Sequence, residues 1–172
     1  MLVSERLLYS QINLQDEHIS LKMAQNSEVM TYITGKALTL EKAKERFLDQ
    51  LAVNIKYPDL GFIKGVSKED GNFIGYAKMT PLKPDILELG YGITPEHWGK
   101  GFATEMLFAM LDIASKLKQY RQIVGIADPV NIPSIQVLEK GGFKFDRQVE
   151  KDGSKSLYYI KTNLPNGHNT TC

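Results

Sequence analysis

The sequence predicts an α+β domain: a mixed, mostly antiparallel seven-stranded sheet flanked by about four helices. Three observations carry that prediction. Asp70-Gly71 and Asp152-Gly153 each lie between two strand-like runs, and an Asp-Gly pair in that setting marks a hairpin. A strand-like run at 86–93, a long amphipathic run and a second strand-like run at 121–127 follow one another, which requires a right-handed parallel crossover. The full order is β-α-α-β-β-β-α-β-α-β-β, with the rest of the sheet antiparallel.

Each element has its own signal. "RLLYSQINL" alternates weakly and reads as the first strand. "LQDEHISLKMAQ" reads as a short helix, with Asp16 as N-cap ahead of Ile19, Met23 and Ala24. Ala43, Phe47, Leu48, Leu51, Ala52 and Ile55 fall at helical spacing behind a Thr39 cap. Lys42 stands where a capping box would place Glu. The period then changes: "LGFIKGVS" and "FIGYAKMT" flank the first hairpin turn, and "DILELGYGI" follows a loop with Pro81 and Pro84. From about Gly101 to Lys118, apolar residues three and four apart paint one helix face, Ala103, Met106, Leu107 and Met110 among them. "RQIVGIA" reads as a buried strand. "NIPSIQVLEKGGF" reads as a short helix with Pro133 near its start and Gly141-Gly142 at its end. "FKFDRQVE" and "SLYYIKTNL" form the second hairpin. Residues 1–164 are expected to be one domain, and 165–172 a polar tail.

Composition narrows the function classes. A chain of 172 residues with a net charge of +1 suits one domain and offers no strong field for nucleic acid or an anionic membrane. The single cysteine, Cys172, excludes a disulfide framework within the chain. No apolar run approaches the roughly 20 residues that span a bilayer. Glu5 and Arg6 interrupt the place where a signal peptide is apolar, so a cytoplasmic protein is expected and the Asn169-Thr170-Thr171 sequon reads as chance. His18, His97 and His168 show no metal-ligand spacing, and no metal is expected.

The stretch "PEHWGKGFATEML" carries the functional signal. Glycine costs helix stability, yet Gly99 and Gly101 stand at the mouth of a helix, with Ala103 two residues on. The first turn of a helix presents unpaired N–H groups and partial positive charge, so an anion binds there if side chains leave room. A phosphate-binding P-loop would have Lys-Ser/Thr after its last glycine, and a dinucleotide fingerprint would have glycine at Thr104; both are absent. A nucleotide held through its diphosphate outside those two folds remains, beside the alternative of a glycine pair with no ligand.

"WGKGFA", residues 98–103, resembles the Gln/Arg-x-x-Gly-x-Gly/Ala loop of the GNAT superfamily of acetyl-coenzyme A-dependent N-acetyltransferases. Trp98 departs from the Gln/Arg position, and an aromatic there is similar to the branch that acetylates the N-termini of ribosomal proteins. "SERLLYSQINLQD" and "LELGYGITPEHWGKGFATEML" are similar to that branch's opening strand and its strand–loop–helix core. "NIPSIQVLEKGGF" resembles the second motif, Asn-x-x-Ser followed by Glu-Lys-x-Gly-Phe. The resemblance covers roughly residues 4–160.

The resemblance implies the acyl-CoA N-acyltransferase fold, with acetyl-CoA as co-substrate entering a splay between strands 86–93 and 121–127. It places the pantetheine arm against Tyr91, Gly92 and Ile93, and the diphosphate on Trp98, Gly99, Lys100, Gly101, Phe102 and Ala103. Asn131 would touch the cofactor arm, cap the short helix, or do both. Ser134 would hydrogen-bond the leaving thiolate, or only satisfy the first helical turn. Leu138 stands where many family members carry a tyrosine acid. Glu88 shares a strand face with Gly90 and Gly92, whose lack of side chains would leave room for an acceptor. It is the candidate base, unless it only holds the substrate electrostatically or faces solvent.

The implied reaction moves acetyl to a primary amine, either a protein N-terminus or a small-molecule amine, by direct attack. Tyr32, Lys36 and Asp152 are candidates for lining the acceptor entrance. The chain would act as a monomer or homodimer. Two alternatives stay open: a catalytically silent acyl-CoA-binding sensor or scaffold, and a binding module that takes no coenzyme.

Overall fold

A computed structural model of the chain describes residues 2–151 and 153–163. One sheet runs through it, with strands β1 (Leu2–Val3), β2 (Leu7–Gln11), β3 (Gly61–Ser67), β4 (Phe73–Lys83), β5 (Ile86–Ile93), β6 (Gln122–Ala127), β7 (Lys144–Lys151) and β8 (Ser154–Thr162). Their spatial order is β1-β2-β3-β4-β5-β6-β8-β7. Every pairing is antiparallel except β5 with β6. Five helices accompany the sheet: α1 (Glu17–Ala24), α2 (Ser27–Thr34), α3 (Leu40–Lys56), α4 (Phe102–Lys116) and α5 (Ile132–Lys140). None of the described helices is long and apolar enough to cross a membrane.

The sheet thus has eight strands where seven were expected, because Leu2–Val3 pairs with Leu8 and Tyr9. Two residues are too few to show alternation. The fifth helix is α2, closed by signals the sequence does carry. Asn26 caps it by accepting from the Val29 N–H, and Gly35 ends it in the left-handed conformation at φ 79°. Asp16 stands at the N-cap position of α1, as expected, but its side chain makes no capping hydrogen bond to that helix. Asn13 caps a short 3-10 turn at Leu14–Asp16, and the Asp16 carboxylate accepts the Asn13 N–H in return. Asp16 is buried and its other oxygen takes Lys64 Nζ at 2.5 Å, so tertiary pairing claimed a residue that local preference assigned to capping.

Alternation along β4 and β5 splits the core into two faces. Met79, Leu87 and Leu89 pack with Met106, Leu107 and Met110 of α4, all essentially inaccessible to solvent. Phe62 and Tyr76 pack on the other face with Met23, Val29 and Phe47 of α1–α3. Asn54 of α3 ties its helix to the sheet through the Ile12 and Phe62 carbonyls and the Phe62 N–H.

The functional consequence lies in the β5–β6 register. Ile86 to Leu89 pair with Gln122 to Gly125, and there the pairing stops. Beyond it, Gly90–Ile93 stay with β4 while Ile126 and Ala127 stay with β8. The two parallel strands splay, as expected. Gly125 marks the branch point: a Cβ there would stand 2.4 Å from Leu138 Cδ2, so only glycine lets α5 pack this close to β6.

Candidate active site

The splay opens into a cleft of about 590 Å³, within the size range of small-molecule sites. Its walls come from several elements, three of which carry the candidate site residues. β5 contributes Tyr91, Gly92 and Ile93 from its open edge. The loop and first turn of α4 contribute Trp98, Gly99, Gly101, Phe102 and Ala103, and the start of α5 contributes Asn131 and Ser134. The topology therefore gathers ten of the candidate residues into one cavity. Lys100 and Glu88 do not line it.

The loop shows why its glycines are there. Gly99 and Gly101 adopt φ 71° and 81°, the left-handed region that costs any residue with a Cβ about 1–2 kcal/mol. A Cβ on Gly99 would meet nothing within 4 Å, so backbone conformation explains this glycine within the protein. Among the described residues, no acceptor pairs with the backbone N–H groups of Gly99 to Thr104. They stand at the start of a fifteen-residue helix, where unpaired N–H groups and the helix dipole favour negative charge. The Lys100 carbonyl accepts from Arg6 Nη1 at 2.9 Å.

Trp98 both lines the cleft and anchors the loop, its indole Nε1 donating to the Ile93 carbonyl at 2.7 Å. Ile93 thus enters the cleft with that carbonyl taken. Asn131 caps α5 by accepting the Ser134 N–H at 3.2 Å.

Tyr91 reaches across the splay from β5. Its hydroxyl lies 3.1 Å from the Ser134 carbonyl, to which it donates, and 3.0 Å from Ser134 Oγ. Burial pushes the Tyr91 phenol up to about 12, opposed by the hydrogen bond with Ser134. Its side chain was no part of the expected chemistry, since only the strand position was marked. What reveals it is that Leu138 leaves the α5 side without a phenol, while β5 supplies one to the same serine.

Glu88 projects to the opposite sheet face from Tyr91. Its carboxylate takes Lys78 Nζ at 2.6 Å, with side chains 16% and 30% exposed respectively. The room expected is taken above Gly92 and bordered only at ordinary contact distance above Gly90. A Cβ on Gly90 would touch the Lys78 side chain, and one on Gly92 would stand 3.1 Å from the Tyr76 ring. Tyr32 lines the cleft beside Ile33; Lys36 lies in the exposed turn after α2 and does not. Asp152, and the tail from residue 165, lie outside the described residues.

A sheet opened between parallel strands, with unpaired helix-start amides at one end of the opening, is a frame for an extended anionic ligand. The chain belongs to the GNAT acetyltransferase family: the family model of the acetyltransferase (GNAT) domain matches residues 6–144. It is 28% identical over 127 residues to the protein YkkB of Bacillus subtilis, covering 72% of this chain and 73% of that one. Spermidine N-acetyltransferase from Vibrio cholerae, solved with CoA and spermine, superposes with a TM-score of 0.74 at 16% identity, covering 91% of this chain and 95% of that one. RimL, a ribosomal L7/L12 alpha-N-protein acetyltransferase solved with coenzyme A, gives a TM-score of 0.78 at 13% identity, covering 93% and 96%.

Proposed function

We propose that this protein transfers acetyl from acetyl-CoA to a primary amine by direct attack. The observation that carries the proposal is the coincidence, in one cleft, of the unpaired β5 edge and the unpaired N–H groups of Gly99–Thr104. An extended arm with amides adds to an open strand edge, and a diphosphate suits such a helix start. Tyr91, Gly92 and Ile93 would hold the arm. Trp98 to Ala103, with Asn131, would hold the diphosphate end and the turn of the arm. Acetyl-CoA supplies the acetyl group already activated as a thioester.

The chain's own groups then handle protons. An amine attacks only when neutral, so its proton must leave. Glu88 is the proposed base, its second carboxylate oxygen left over by Lys78. Ser134 Oγ is the proposed donor to the departing sulfur, with the Tyr91 hydroxyl behind it. Backbone N–H on the open β5 edge would stabilise negative charge on the acetyl oxygen.

For the acceptor we propose a protein N-terminus, on the sequence resemblance to the ribosomal-protein branch. A small amine is the competing choice. An α-amino group, with pKa near 8, needs less help from a base already committed to Lys78 than an alkylamine near 10.4. A screen for thiol release across peptides of varied first residue, polyamines and aminoglycosides tests this. Turnover confined to peptides supports the proposal, and turnover confined to small amines overturns the acceptor choice.

One observation favours a second reading, a silent acyl-CoA-binding sensor: Glu88 is ion-paired and does not line the cleft. Calorimetric binding of acetyl-CoA, with thiol release from no amine and no change in Glu88→Gln, would select the sensor.

A further inference from the structure

Arg6, at the edge of β2, sits ninety-four residues from the loop it touches. Its Nη1 donates to the Lys100 carbonyl at 2.9 Å, and its guanidinium carbon stands 4.1 Å above the Phe102 ring. Its Nε donates to Glu105 Oε2 at 2.7 Å, and its backbone N–H to Glu105 Oε1 at 2.7 Å. Ser4 Oγ donates to that same oxygen at 2.6 Å. The arginine is thus held by the first turn of α4 while it grips the loop that precedes it. Its Nη2 would lie 3.5 Å from a Cβ on Gly101.

We propose that Arg6 is a positioning residue for coenzyme binding, setting the orientation of the Lys100–Gly101 peptide. A trans peptide points its C=O and N–H in opposite directions. Arg6 does not line the cleft, whereas Gly101 does. Holding the Lys100 carbonyl toward Arg6 therefore turns the Gly101 N–H to the cleft side. The next peptide is fixed in the same sense, because the Gly101 carbonyl accepts the Glu105 N–H at 3.1 Å. With φ of 71° and 81° at the flanking glycines, this loop has few steric restraints of its own and glycine permits the flipped peptide. A flipped peptide would aim a carbonyl oxygen at an anion. The guanidinium fork also compensates the Glu105 carboxylate, which otherwise adds negative charge in the turn that receives the diphosphate.

The inference rests on the reading that residues 98–103 hold the diphosphate. Its test compares coenzyme A with S-acetylpantetheine, which lacks the diphosphate, on wild type, Arg6→Gln and Arg6→Lys by calorimetry. The expected result is that both variants weaken coenzyme A about tenfold or more while S-acetylpantetheine binding is unchanged. A lysine keeps the charge but not the fork, so it should not rescue. Wild-type coenzyme affinity in Arg6→Gln overturns the inference. So does full rescue by Arg6→Lys, which would leave charge alone as the cause. An equal loss for both ligands also overturns it, since that marks general damage to the fold. Failure of the wild type to bind coenzyme A overturns the functional proposal itself, and the inference falls with it.

Discussion

Tyr91 and Ser134 concentrate the residue-scale chemistry. The phenol is buried and raised to about 12, so it stays protonated, and a hydrogen-bond donor, through the whole working range. With the phenol proton on the Ser134 carbonyl, the Ser134 hydroxyl donates to the Tyr91 oxygen and is oriented by it, and it turns from that oxygen to reach another acceptor. Tyr91→Phe should lower kcat about tenfold with little change in the KM for acetyl-CoA, and Ser134→Ala should lower kcat about 10- to 100-fold. Steady-state thiol release measures both. Equal rises in KM with kcat intact would place the pair in cofactor binding instead. Glu105 makes a second prediction. Burial pushes its carboxyl up, but hydrogen bonds from Ser4, the Arg6 backbone and the Arg6 guanidinium outweigh it and hold the group below the usual glutamate range. A lowered folded pKa gives stability that is complete above the unfolded value of about 4.3 and is lost as pH falls through the folded one. Urea midpoints from pH 7 down to 3 should show Glu105→Gln less stable than wild type at neutral pH, the gap closing in acid. A gap independent of pH would sink this account.

At the scale of elements, the loop before α4 and the α5–β6 packing decide the site. Gly101→Val places a β-branched side chain at φ 81° beside Arg6. It should cost about 1–2 kcal/mol of stability through backbone strain and weaken coenzyme A by more than about tenfold, a further 1.4 kcal/mol. Chemical denaturation and calorimetry on the same variant separate the two; unchanged coenzyme affinity would remove the loop from the site. Much of this scale was legible beforehand. The long helix, both hairpins and the parallel crossover were marked by apolar period and by Asp-Gly turns. The Leu2–Val3 strand and the Asp16 pairing with Lys64 were not, because short ladders and long-range ion pairs leave no local period.

The whole molecule is an open sheet with one deliberate break. A ligand that bridges β5, the α4 start and α5 should add cross-links between parts that the bare protein joins sparsely, Tyr91 to Ser134 being one such tie. At a hundredfold excess over Kd, a ligand binding only the folded state adds about 2.7 kcal/mol. For a chain of this size that is a rise of roughly 5–10 °C in Tm. A thermal melt with acetyl-CoA checks it, and no shift at saturating concentration would count against the cleft as the coenzyme site.

By itself the sequence determined the order of the elements and the family's loop, because hydrophobic period, turn chemistry and glycine at a helix mouth are local properties. It also marked the part of the cleft's lining that clusters at 91–103 and 131–134, while the α2 and β6 walls were supplied by packing. Only the tertiary structure decided which partner each polar group meets. Arg6 on the Lys100 carbonyl, Lys78 on Glu88 and Tyr91 on Ser134 join residues ninety-four, ten and forty-three apart. Side-chain pairing across strands and helices depends on register and on how closely two elements approach, and those distances exist only once the chain has packed.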